Sequence, residues 1–268
     1  MILYPPAKIN LGLHVLVKRP DGFHEIETCM VPIPFYDILE LTLSPAFSFE
    51  QTGIKIPGAV GENLCEKAFY LMKSRYEIGN VRIHLRKQIP IGAGLGGGSS
   101  DAAHVLLALN ELFALKLDIK ILCILAAELG SDCPFFVYDS ACHATGRGEI
   151  LQPYACDLSN YKIALVHPGI HVSTAWAFSQ LQPHAKEKSI AEIVAQPIEE
   201  WKTTLINDFE APIFLAHPVL EEIKNELYIH GAIYASMSGS GSSLFGIFPN
   251  NFKWPNKFMN NQFRVDFI

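Results

Sequence analysis

Five glycines fall within seven residues in the segment Pro90-Ile91-Gly92-Ala93-Gly94-Leu95-Gly96-Gly97-Gly98-Ser99-Ser100. Ordering so many glycines is entropically expensive, and an ordinary turn needs only one or two of them. What offsets the expense is close approach of bare backbone to a ligand. The residues that follow predict a helix over about 100–115, so free N–H groups and the positive end of a helix dipole would face an anion. Ser99 and Ser100 add hydroxyls for a phosphate or a Mg2+ ion. A flexible tight turn ahead of a helix is the plainer reading of the same residues.

The type of loop can be narrowed. A Walker A loop needs Gly-Lys-Ser/Thr, and no lysine follows these glycines. Gly92, Gly94 and Gly97 spell the G-x-G-x-x-G of a dinucleotide site, and Asp118 lies 21 residues beyond Gly97. The preceding residues argue against that fit. Val81, Ile83 and Leu85 alternate with Arg82, His84 and Arg86, whereas the first strand of a dinucleotide fold is buried on both faces. Pro90 also interrupts the strand-to-loop junction. Protein-kinase signatures are absent. A nicotinamide-dependent oxidoreductase therefore stands as the rival class to a phosphoryl-transfer enzyme.

The chain has 268 residues, a net charge of −6 and 49% hydrophobic residues. That composition supports a sizeable core and argues against a nucleic-acid-backbone binder. No signal peptide or membrane span is expected, which makes the cytoplasm the default location. The six cysteines form no CxxC pair and read as reduced core residues.

Ile9, Leu11, Leu13, Val15 and Val17 share one face of a strand over residues 7–17, so Lys8, Asn10 and His14 project together from the side expected to lie outside the core. Pro20-Asp21-Gly22 is a turn, and Phe23–Val31 returns as a strand. A further strand is expected over Thr42–Phe49. A helix is expected over Glu62–Tyr76, a half-exposed strand over 81–86, and a helix over Ile119–Leu129 with Asp118 as N-cap and Gly130 as terminator. Strands near 162–166 and 242–248 and helices near 174–181, 190–195 and 218–227 complete the pattern. Without regular βαβ alternation the class is α+β. Two domains are expected, 1–155 and 156–268.

Lys8 with Asn10 can steady a developing negative charge and orient a hydroxyl, or Lys8 is an ordinary strand-face lysine. Asp132, in Gly130-Ser131-Asp132-Cys133-Pro134-Phe135-Phe136, can accept a proton from a hydroxyl, or it is an Asx turn. Asp21 and Glu149 read as structural. Pro168-Gly169 prevents His167 and His171 from sharing a helix face on a metal; no protein side chain is assigned a metal beyond Ser99 or Ser100 for Mg2+. A second cluster, Ser238-Gly239-Ser240-Gly241-Ser242-Ser243, is either a plain loop or a shelf packed beneath the first.

Taken together, Pro6-Ala7-Lys8-Ile9-Asn10-Leu11, the loop Pro90–Ala102 and Ser238–Ser243 resemble, in that order, the GHMP kinase superfamily. Arg19–Ile26, Gly130–Phe136, Gly146–Glu149 and Asn207–Glu210 resemble the branch that phosphorylates the 2-hydroxyl of a cytidine-diphosphate-linked methylerythritol, in the non-mevalonate route to isoprenoid precursors. The resemblance implies a two-domain α+β fold with the active site in the cleft between domains, and an ATP- and Mg2+-dependent kinase of a small molecule acting as a monomer or homodimer. It implies that Lys8 and Asp132 are the catalytic pair, that Pro90–Ser100 wraps the ATP phosphates, and that Asn10, Phe23, His24, Thr174 and Phe178 bind the substrate, with cytosine stacked between aromatics. Phe23 stands where that branch usually has tyrosine, and Ala93 where glycine is common.

Overall fold

The computed structural model describes residues 1–58, 61–138, 140–254 and 264–268. In chain order the elements are β1 (Ile2–Leu3), β2 (Pro6–Lys18), β3 (His24–Tyr36), β4 (Ile38–Ser44), β5 (Ser48–Gly53), α1 (Leu64–Arg75), β6 (Asn80–Lys87), α2 (Gly97–Leu112), α3 (Ile119–Leu129), α4 (Phe135–Tyr138), β7 (Cys142–Thr145), β8 (Ile150–Pro153), β9 (Tyr161–His167), α5 (Thr174–Ser179), α6 (Ile190–Val194), α7 (Trp201–Thr204), α8 (Glu210–Ala216), α9 (Pro218–Ile229), β10 (Tyr234–Met237), β11 (Leu244–Pro249) and β12 (Arg264–Phe267). The mixture is α+β, as expected from the pattern.

Two compact units share these elements, and both are discontinuous in sequence. The first holds residues 1–8, 32–91 and 96–140; the second holds 9–31, 92–95 and 141–268. The expected division at 155 follows chain order, whereas this one lets the long strands β2 and β3 each contribute to both units.

The first unit is built on the sheet β1-β4-β6-β5, with β4 antiparallel to β6 (Leu41 opposite Ile83) and β5 parallel to it (Phe49 opposite Ile83). The alternation in β6 holds: Val81, Ile83 and Leu85 are fully buried while Arg82 and Arg86 are exposed. Helices α1, α2 and α3 pack together beside this sheet. The expected strand over 42–49 is two strands, because the strand breaks off at Pro45 and the chain crosses from one side of β6 to the other between β4 and β5. Helix α3 has the expected bounds and the Asp118 cap, whose carboxylate accepts from the Ile121 N–H at 2.9 Å.

The second unit carries two four-stranded sheets, β2-β3-β7-β8 and β10-β11-β9-β12. Its core gathers Leu13, Ile223, Leu227, Met237, Phe209 and Phe248, with α8 and α9 packed together and α9 against β11. Strand β2 departs from its expected half-exposed form. Residues 6–15 are buried on both faces, Lys8 and Asn10 included at 3% and 2% exposure. Period-two alternation separates polar from apolar faces, but it does not say whether the polar face is covered. At Gly12 (φ +64°) a Cβ would lie 2.6 Å from Ile190 and Leu205 side chains, so at that point of the strand the polar face is covered by later parts of the chain.

Candidate active site

The glycine loop is shaped by conformation and by packing. Gly92, Gly94 and Gly96 have φ of 63°, 79° and 69°, a region that L side chains enter only with strain. Helix α2 begins at Gly97, three residues earlier than expected, so the loop's last glycines form its first turn. Its N-cap is Gly96, with no side-chain cap. The first amides of an α-helix have no intrahelical acceptor, and here the N-cap has no side chain to supply one. At Gly98 an added Cβ would meet only Leu64, at 3.7 Å, and the residue is exposed. Protein packing therefore does not require glycine there; a close-lying ligand would.

Lys8 and Asp132 meet in the first unit. Lys8 Nζ lies 3.5 Å from Asp132 Oδ2, with the lysine side chain 4% exposed and the carboxylate 37%. Lys8 Cγ and the Phe136 ring would both lie about 3 Å from a Cβ at Gly96, so the pair adjoins the start of α2. Asp132 is carried by the turn that leaves α3, where the Cys133 N–H bonds the Gly130 carbonyl at 3.1 Å. The Ser99 hydroxyl lies against the Cys133 thiol, and burial pushes that thiol up to about 12, which keeps it inert. Ser100 Oγ is fully buried and has no hydrogen-bond partner among the described residues. An orphaned buried hydroxyl in the first turn of a glycine-opened helix suits a phosphate oxygen or its Mg2+ ion, so these residues fit a nucleotide triphosphate.

Within the second unit, Gly92–Leu95 rests on the second glycine cluster, and the shelf reading holds. A Cβ on Gly94 would sit 2.0 Å from the Ser238 carbonyl oxygen. Ser238 Oγ donates to the Gly94 carbonyl at 2.8 Å, and the Ser243 N–H to the Ala93 carbonyl at 3.2 Å. Asn207, whose role is invisible in sequence, donates through Nδ2 to the Met237 and Gly239 carbonyls, both at 2.8 Å. Asn10 donates to Thr28 Oγ1 at 3.1 Å and accepts from Ser238 Oγ at 3.4 Å.

The aromatic residues are brought together differently from a simple Phe23–Phe178 pair. Phe178 stacks on His24 (centroids 4.8 Å, 14° between planes) and stands edge-on to Phe209 at 4.9 Å. Phe23 is 52% exposed and lies under the Arg147 guanidinium, 4.8 Å from its ring centroid. Burial, helped by Lys18, holds the His24 pKa below the usual imidazole value, so the stacked ring is neutral near pH 7. Thr174 Oγ1 pairs with Ser240 Oγ at 2.9 Å, tying α5 to the second glycine cluster. Asp21 accepts from the Phe23 N–H and from Arg19, and Glu149 from the Arg147 N–H. Both are structural, as expected.

The dinucleotide reading loses its acidic residue, since Asp118 serves as a helix cap. Among the described residues no group of three or more His, Cys, Asp or Glu side chains could hold a metal ion. All six cysteines are free.

Comparison with known proteins identifies the family. The profile described as GHMP kinases N terminal domain matches residues 63–140, and that described as GHMP kinases C terminal matches 189–253. The chain belongs to the GHMP kinases, a family of ATP-dependent kinases. It is 48% identical to a protein of Azobacteroides pseudotrichonymphae over 94% of this chain and 95% of that one, and 49% identical to a protein of Parabacteroides distasonis over 94% of each. Both relatives are named 4-diphosphocytidyl-2-C-methyl-D-erythritol kinase. A crystal structure of 4-(cytidine 5'-diphospho)-2C-methyl-D-erythritol kinase superposes with a TM-score of 0.79 at 36% identity, over 92% of this chain and 90% of that one.

Proposed function

We propose that this chain transfers the terminal phosphoryl group of ATP to the 2-hydroxyl of 4-diphosphocytidyl-2-C-methyl-D-erythritol, in the non-mevalonate route to isoprenoid precursors. The observation that carries the reading is the Lys8–Asp132 pair, 3.5 Å apart and adjoining the glycine-opened start of α2. The substrate comes from the relatives that match over 94% of the chain.

Asp132, the more exposed partner, accepts the proton of the attacking hydroxyl. That oxygen bonds to the γ-phosphorus as the bond to the β–γ bridging oxygen breaks and ADP departs. Lys8 steadies negative charge on the attacking oxygen and keeps the carboxylate aimed. The free amides at the start of α2 and the backbone of Pro90–Gly96 hold the phosphates. When bound, Mg2+ neutralises charge on the phosphate oxygens; Ser100, with Ser99 beside it, offers the hydroxyl for it. Phe23, Phe178 and the neutral His24 ring supply aromatic faces and polar edges for cytosine, with Thr174 and Asn10 as polar contacts.

The division at 155 is kept as part of this reading, since the two family segments fall on either side of it. A cytoplasmic location goes with it as well; no described helix is long and apolar enough to cross a membrane. The test is phosphorylation of the cytidylyl erythritol by the purified chain with Mg-ATP, with homoserine, galactose and mevalonate as controls. A new phosphomonoester on the first acceptor alone is expected. Transfer to a control acceptor instead, or to none, overturns the reading.

A further inference from the structure

Three ionisable side chains lie buried in the first unit where the glycine loop is entered and left, outside the catalytic pair. Lys87 Nζ contacts Asp37 Oδ2 at 2.5 Å and Asp101 Oδ2 at 2.6 Å, and the three side chains are 2%, 0% and 2% exposed. Burying such a set costs more than its mutual attraction returns unless the geometry is very good, and an apolar set of similar volume is often as stable. The arrangement is therefore unlike a stability device, and its position suggests another use.

Lys87 closes β6, immediately before the loop, and Asp101 belongs to the second turn of α2, immediately after it. Asp37 sits at the corner between β3 and β4, fixed by its own N–H to the Pro5 carbonyl at 3.0 Å. Its second oxygen accepts from the Gln88 N–H at 2.5 Å and the Ile89 N–H at 2.9 Å, the last two amides before Pro90. One carboxylate thus grips the strand end, and the ammonium links it to the helix start. A Cβ on Gly97 would lie 2.8 Å from Lys87 Nζ and from Ile89 Cγ2, so the first residue of α2 rests directly on the ammonium. The carboxylates of Asp101 and Asp37 outweigh burial and hold the lysine in its charged form. Burial pushes the Asp101 carboxyl itself up to about 8, so Asp37, which also accepts from two backbone N–H groups, is the firmer counter-charge.

The geometry assigns Asp37, Lys87 and Asp101 a positioning role: they set the separation of the two ends of the glycine loop, and through it the fit of the loop to the ATP phosphates. This rests on the reading of the chain as an ATP-dependent kinase. The residues touch neither phosphate nor acceptor. They act through the backbone at 88–89 and 97–101, where a loop of five glycines has no stiffness of its own. Preorganised amides bind more tightly because less order is lost on binding.

The test compares ATP with adenosine, which shares the base and sugar but lacks phosphates, by titration calorimetry on the full chain without acceptor. Asp101→Ala removes one arm of the network. Asp101→Asn keeps its size and leaves one carbonyl oxygen for the ammonium. The expected preference for ATP over adenosine falls about tenfold in the alanine variant and about threefold in the asparagine variant, with adenosine affinity within twofold of the parent. An unchanged preference in Asp101→Asn overturns the proposal even if the alanine variant does not fold, as does an equal loss for both ligands. Steady-state rates give a second readout: KM for ATP rises while KM for the acceptor stays put, a split that mere loss of folded protein does not produce. A parent chain that binds no ATP would instead overturn the kinase reading.

Discussion

Replacing Gly98 by alanine separates what the loop needs for folding from what it needs for binding. The position lies in the first turn of α2, exposed, with only Leu64 within reach of a Cβ at 3.7 Å. Alanine in place of glycine within a helix stabilises by about 0.5–1 kcal/mol. In a chain of this size that raises Tm by about 1–4 °C. The added methyl would occupy the space through which a phosphate approaches the amides. Loss of one hydrogen bond to a charged group is worth about 1.5–3 kcal/mol, so the Kd for ATP rises at least about tenfold. A variant that is more stable and binds ATP less well is the signature. Gly94→Ala is the contrast: at φ +79°, with the Ser238 oxygen 2.0 Å from the new Cβ, it loses stability as well as affinity. Thermal unfolding and calorimetry on the two variants suffice. A Gly98→Ala chain that binds ATP at the parent's affinity would refute the claim that this backbone is bare for a ligand's sake.

Phe178→Ala removes the ring that backs His24 and stands edge-on to Phe209, so the aromatic surface offered to the base is lost or misplaced; stacking of a base on an aromatic ring is worth about 1–3 kcal/mol. KM for the cytidylyl acceptor should rise about 5–150-fold with kcat within a few-fold, and an unchanged KM would reject the His24–Phe178 stack as part of the cytosine site. His14 is buried, and burial, against the opposing pull of Asp208, lowers its pKa below the usual imidazole value. The unfolded chain then takes up a proton near pH 6.5 that the folded chain resists, so this contribution is complete above about pH 6.5 and lost as pH falls below it. Tm should drop more between pH 7.5 and 5.5 in the parent than in His14→Gln; equal drops would show that another group governs the acid limb.

The legible parts of this molecule are those whose chemistry is local. Helix α3 keeps the bounds expected from Asp118 and Gly130 because a cap and a terminator act within one turn. The start of α2 on the loop's last glycines was partly legible, since so many glycines have few uses other than close backbone approach. The triad could not be read. Lys87 and Asp37 are 50 residues apart and Lys87 and Asp101 are 14 apart, and each alone looks like a surface charge at an element's end. The burial of Lys8 and Asn10 was hidden for a related reason: Gly96 and Asp132, which lie against Lys8, and Ser238, which bonds Asn10, come from far along the chain. The resemblance supplied Phe23, His24 and Phe178 as a group. That His24 is the ring stacked on Phe178, while Phe23 sits under Arg147, required the fold.

In the proposed reaction Asp132, steadied by the buried Lys8 ammonium, readies an alcohol for attack on ATP. Asp132→Asn keeps the shape of that side chain and removes its ability to take a proton. Single-turnover phosphorylation of the cytidylyl erythritol should slow by about 10²–10⁴-fold, while the calorimetric Kd for ATP stays within twofold. Phosphorylation at the parent's rate by the asparagine variant would contradict the account.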